Sequence, residues 1–155
     1  SAPLAGLPAL GLGIAGGTGN GLVSGLRPVY HFFQMLQMRA LEPLPVTRFN
    51  WDAALVRAGE LGAVLAGMAG ARQPFAGVED RLLWYDNLPY LGLTRAAERR
   101  LLAALTTAAL PDGADPAIPR RLAEADTLAA RGEPLRALRA ITLAYEAGVK
   151  VFETK

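Results

Sequence analysis

The chain has 155 residues, no cysteine, a single histidine and a net charge of only +2. A disulfide framework, a thiolate metal site, a cysteine nucleophile and a two-histidine metal centre are thereby excluded, while the length suits one domain with its own core. A hydrophobic fraction of 52% against a charged fraction of 19% tilts the chain toward burial in lipid or in partners.

The first 26 residues carry no charged side chain, and Arg27 ends the run. Ala5, Ala9, Gly13, Gly17, Gly21 and Gly25 recur at every fourth place; on a helix they would form one small-residue ridge that lets another backbone approach closely. Two readings follow. A helix from Leu4 to Leu26, at about 1.5 Å per residue, is long enough for the roughly 30 Å of a bilayer core, and Arg27, Tyr30, His31, Phe32 and Phe33 then suit its interface. Alternatively the segment is an irregular, glycine-rich arm lying over another protein. Residues 1–27 are accordingly set apart as an anchor or arm.

Residues 28–148 read as a helical domain. Pro28 opens a helix to about Leu41, stopped by Pro43 and Pro45. A third helix is expected from Trp51 to about Ala69, with Asn50 as N-cap and Asp52 in its first turn. It too is lined with small residues, at Ala54, Ala58, Gly62, Ala66 and Gly70. A short helix through VEDRLLWYDNL precedes Pro89, and Thr94 caps the next, which ends at Pro111, Asp112 and Gly113. Asp115 with Pro116 starts a helix that stops near Gly132. The last one places Leu135, Leu138, Ile141 and Tyr145 at helical spacing and is expected to terminate at Gly148. Residues 149–155 remain as a tail, read as extended. Alternating β-branched residues are scarce, so the fold class is all-α, a compact helical bundle of hairpins.

Two short resemblances occur. GGTGNG, Gly16 to Gly21, resembles the phosphate loop of the tubulin and FtsZ family, which implies nucleotide binding; Ala15 and Asn20 depart from that pattern, and a nucleotide-binding sheet is not expected before it. Gly132, Ala137, Ile141 and Ala144 resemble the second helix of a tetratricopeptide repeat, but Arg121 and Glu124 stand where the first helix needs apolar residues. One copy implies a plain helical hairpin, since a solenoid needs several.

No catalytic constellation emerges. Ser24 lacks nucleophile-elbow spacing, and His31 sits in an apolar run that suits packing or an interface. Glu79, Asp80 and Asp86 form the densest acidic group, read as a solvated helix cap. The arginines from Arg95 to Arg139 are interleaved with Glu98, Glu124 and Asp126 and lack alternating aromatics, so nucleic acid is not an expected partner. The expected function is a non-catalytic structural or assembly subunit of a larger membrane or membrane-apposed complex. It would act through helix packing, with no cofactor and with other protein subunits, or a membrane, as partners. The candidate interaction residues are Gly13, Gly17, Gly21 and Gly25 on the ridge, and Trp84 and Tyr85 as aromatic anchors. The alternative is a soluble helical module that binds a peptide, lipid or nucleic acid.

Overall fold

Six α-helices and two short parallel strand pairs make up the described residues, 3–15 and 21–154, of the computed structural model. The helices dominate, as the all-α reading expects. The N-terminal stretch is the exception, and the expectation of a helix from Leu4 to Leu26 is corrected there. Pro8–Ala9 (β1) and Leu12–Ile14 (β2) form one extended run, paired in parallel with Arg39–Ala40 (β3) and Leu44–Val46 (β4). Ala9 faces Ala40 and Leu12 faces Leu44, so the second run carries one extra residue, a bulge before β4. Arg27–Met35 (α1) is the crossover helix, entered through a 3-10 turn at Ser24–Leu26. It ends before the expected Leu41, because the chain from Arg39 onward is drawn into the sheet.

Glycine makes this unit possible by permitting close approach. A Cβ on Gly11 would stand 2.3 Å from Tyr30 Cε2, and one on Gly13 would stand 2.4 Å from the Leu22 carbonyl oxygen. Tyr30 is therefore a core residue and not an interfacial one. Its hydroxyl accepts from the Gly11 N–H at 3.0 Å and donates to the Leu41 carbonyl at 2.9 Å. Burial pushes its pKa up to about 12, against the opposing hydrogen bond from Gly11. His31, beside it, is exposed.

Trp51–Ala71 (α2) covers the other face of the ribbon, where Leu44 and Val46 cluster with Ala54 and Leu61. Asn50 stands at the N-cap, but its side chain serves the preceding turn instead: Oδ1 accepts from the Thr47 N–H and hydroxyl, and Nδ2 donates to Pro45. Val78–Asp86 (α3) closes the α1 side. There Arg39 stacks on Phe75 and Trp84, at 4.3 and 4.7 Å, and reaches Asp80 at 3.4 Å.

The C-terminal half is Arg95–Ala108 (α4), Ala117–Ala130 (α5) and Pro134–Glu153 (α6). Thr94 caps α4 as expected, accepting from the Ala97 N–H at 3.2 Å. Gly132 turns the α5–α6 hairpin with φ +74, the left-handed conformation glycine adopts without strain. Ala137, Ile141 and Ala144 of the repeat-like pattern lie in the core with Ile118, Leu122 and Ala125. The expected stop at Gly148 and the extended tail are corrected: α6 continues through Glu153. Gly148 is a contact glycine, since a Cβ there would meet Thr106 Cγ2 on α4 at 3.0 Å.

Glu98 joins the two halves. Only 2% exposed, it accepts from Val23 N–H at 2.5 Å, Ser24 N–H at 2.8 Å and the Ser24 hydroxyl at 3.3 Å. Burial alone would raise its pKa, but these donors, with Arg27 nearby, hold it below the ordinary carboxylate value. Leu22 and Val23 pack on Leu102 beneath that contact.

Candidate interaction surface

An α-helix normally hides one stripe and wets the other. Helix α2 does neither cleanly, because its sequence is apolar nearly all round. Of its 21 residues only Ala54 and Leu61 are buried. Trp51, Leu55, Val56 and Val64 are exposed, Val56 at 67%. Gly59, Gly62, Gly67 and Gly70 have no atom of the fold within 4 Å of where a Cβ would stand. On a wheel of about 100° per residue, Gly59, Ala63, Gly67 and Gly70 fall together, opposite the buried pair. The outward face is therefore a shallow strip of small residues with Val56 beside it and Asp52 at its N-terminal end.

The charges of α2 keep clear of that strip's far flank. Arg57 pairs with Glu42 at 2.5 Å and with Glu60 at 2.6 Å, which fixes one side of the helix toward the β3–β4 edge. The other side carries Trp51, Leu55 and Gly62 and has no ionisable group.

Helix α2 is long and apolar enough to cross a membrane. Its two ends are nevertheless held by one body. The N-terminal end follows the Thr47–Asn50 turn beside β4. At the C-terminal end, Arg72 donates through Nε to Ala5 at 3.1 Å and also to Pro3, and Gln73 N–H donates to Gly6 at 3.2 Å. A helix tethered at both ends across a sheet lies along its surface, so α2 does not project from the fold.

The other sequence-derived candidates are dispersed. Gly13 lies in β2, Gly21 is in a turn at φ +93 and Gly25 is in the 3-10 turn, so these three do not line one helix. Gly17, and most of the GGTGNG loop, fall outside the described residues. A strand does precede that loop, contrary to expectation. In parallel βα units the N–H groups that open the following helix commonly hold phosphate; here those of Val23 and Ser24 are taken by Glu98. Trp84 and Tyr85 are used within the fold: Trp84 Nε1 donates to the Ala40 carbonyl at 2.8 Å, and the Tyr85 hydroxyl donates to the Met38 carbonyl at 2.7 Å. Burial pushes the Tyr85 pKa up to about 12. Of the acidic group, Asp80 accepts from Ala76 N–H and Arg39. Arg100 makes a two-pronged pair with Asp126, both bonds 2.9 Å, and so spends its charge within the chain.

Sequence reasoning identified α2 as a small-residue helix but not as an exposed one. The available signal was its lack of a polar face. Comparison with protein-family models, with curated proteins and with solved structures returned no match.

Proposed function

We propose that this protein is a non-catalytic structural subunit of a larger, membrane-apposed assembly, and that α2 is the element through which it packs. The supporting observation is a 21-residue apolar helix with only two buried residues, tethered at both ends so that its outward face is presented sideways. Small residues there favour a helix as the occupant, because close backbone approach raises the number of dispersion contacts. Lipid tails gain nothing from glycine, and interfacial helices carry bulky apolar residues opposite Lys and Arg. Apposition to a membrane through the assembly therefore fits α2 better than insertion does.

The test is the size of the native particle that contains the chain, compared with its Gly67→Leu variant. The expected result is a particle larger than a dimer of this chain, from which Gly67→Leu is lost while the purified variant melts no lower than wild type. A native chain found only as monomer or dimer, with Gly67→Leu indistinguishable, overturns the reading. Release from membranes by salt without detergent is expected for a membrane-apposed subunit.

The alternative, a soluble binding module, has one observation in its favour. A recess of about 520 Å³ runs between α4 and α6, lined by Leu102, Leu138, Ile141 and Tyr145 with Arg99 and Glu146 at its rim. Saturable binding of an apolar peptide that is lost in Leu138→Lys while the variant stays folded, with no larger native particle, would favour it.

A further inference from the structure

We propose that the open edge of β2 is a contact between two copies of this chain. A second β2 adds antiparallel to the first, turning the two-stranded ribbon into a four-stranded sheet with two α2 helices side by side on one face.

The two edges of the ribbon differ. In the register Gly13 opposite Pro45, Pro45 directs its nitrogen away from β2, and having no N–H it blunts that edge. On the other edge β2 itself holds no proline; Pro8, of the same outward parity, stands four residues before Leu12, in β1. Gly11 and Ala15 spend their groups on β4, accepting from Leu44 N–H at 3.0 Å and donating to Val46 at 3.1 Å. By the alternation of a strand, the N–H and C=O of Leu12 and Ile14 then face outward. No hydrogen bond outside the ladder meets them among the described residues. The two residues are 47% and 64% exposed. The segment has no charge, so it lacks the lysines by which natural edges resist pairing.

Three arguments select a second copy as the occupant. A strand edge is self-complementary about a two-fold axis: Leu12 meets Leu12 of the other copy, Ile14 meets Leu10, and no like charges face each other. Leu10 packs with Leu44, Val46 and Leu61, so Leu12 and Ile14, of the same parity, lie on the face that α2 covers. The Arg57–Glu42 pair holds the charged flank of α2 toward the β3–β4 link, so the opposite flank, with Leu55 and Gly62, is turned toward the β2 side. Finally, α2 packs against β1 of the first run and β4 of the second, and so lies across the pair of runs. Across the proposed axis, two such helices stand two strand spacings apart, roughly 9.6 Å, which is within the approximately 8–10 Å at which helices pack. Gly62, with nothing within 4 Å of its Cβ position, sits on that flank and permits the approach.

The contact is smaller than the roughly 20–30 residues a side of a standard interface, so dissociation in the micromolar range is expected. It rests on the assembly reading only in naming one contact, and the outward strip of α2 stays free. The test is sedimentation equilibrium of the full chain from micromolar to millimolar concentration, with cysteine cross-linking in this cysteine-free background. Leu12→Cys should form an intermolecular disulfide under mild oxidation, because hydrogen-bonded antiparallel partners stand about 5.5 Å apart at Cα, inside the disulfide range. Leu135→Cys, at a still more exposed position, should not. Leu12→Lys should weaken the dimer at least tenfold with an unchanged monomer melting temperature. A wild-type monomer throughout, equal cross-linking of both cysteine variants, or a Leu12→Lys dimer as tight as wild type overturns the proposal. None of these results bears on Gly67→Leu and the larger particle, so the two readings fail separately.

Discussion

Helices α2 and α6 are nearly the same length, 21 and 20 residues, and both are rich in alanine and small residues, yet they have opposite fates. In α6 the small and apolar residues recur on one stripe. Ala137, Ala140, Ile141, Ala144 and Gly148 are all buried against α5 and α4, and Arg136, Arg139 and Glu146 are left outside. In α2 the same residue types run all the way round, so any docking on a single sheet leaves most of the helix uncovered. Composition makes a helix apolar, but periodicity decides whether its own chain can bury it.

The largest expected effect comes from breaking the buried stripe. Ala144 is fully buried, so Ala144→Glu forces a carboxylate into the α5–α6 core and should cost about 3 kcal/mol or more. A melting curve or denaturant titration of the purified chain reads this directly. Charge placed on the outward strip of α2, by contrast, should leave the melting temperature of the isolated chain unchanged within measurement.

The joint between the halves comes next. Glu98→Ala leaves the N–H groups of Val23 and Ser24 without their acceptor and should cost about 1–3 kcal/mol. The acid limb of stability reports the same contact. Because the folded-state pKa of Glu98 is depressed, its stabilisation is present above the unfolded carboxylate value and is lost as pH falls through the folded one. Wild type should therefore lose stability on acidification by a component that Glu98→Ala lacks, measured as the difference between their denaturation midpoints from neutral pH downward.

The smallest effect has the opposite sign and sharpens the comparison most. Gly67 of α2 has open space where a Cβ would go, so Gly67→Ala should stabilise the isolated chain by about 0.5–1 kcal/mol through helix propensity alone. At Gly148, where Thr106 stands 3.0 Å away, the same change should give no such gain. If both substitutions move the melting temperature equally, the contrast between an open and a packed small-residue helix is wrong.

Most helices could be read from local chemistry. The Thr94 cap, the Asp115–Pro116 start and the Gly132 turn each act within a few residues, and each stands where its local residues predict it. The ribbon could not be read that way. β1 and β2 hold three glycines or prolines among their five residues and immediate link, and their partners lie some thirty residues on, so neither propensity nor alternation marks them. The interaction surface was half legible: the small residues of α2 were visible, but their exposure was not. Trp84 and Tyr85 looked like anchors because aromatics serve partners and cores alike, and only the carbonyls of Ala40 and Met38 show which use they have here.

The sequence by itself therefore determined the helical segments, their caps and the absence of charge before Arg27, all of which depend on neighbours within a turn or two. Tertiary structure decided which glycines are hinges, contacts or open ground. It made Gly11 a seat for Tyr30, Gly148 a seat for Thr106 and Gly67 a gap facing solvent, because the consequence of a missing side chain is set by whatever the rest of the chain brings against it.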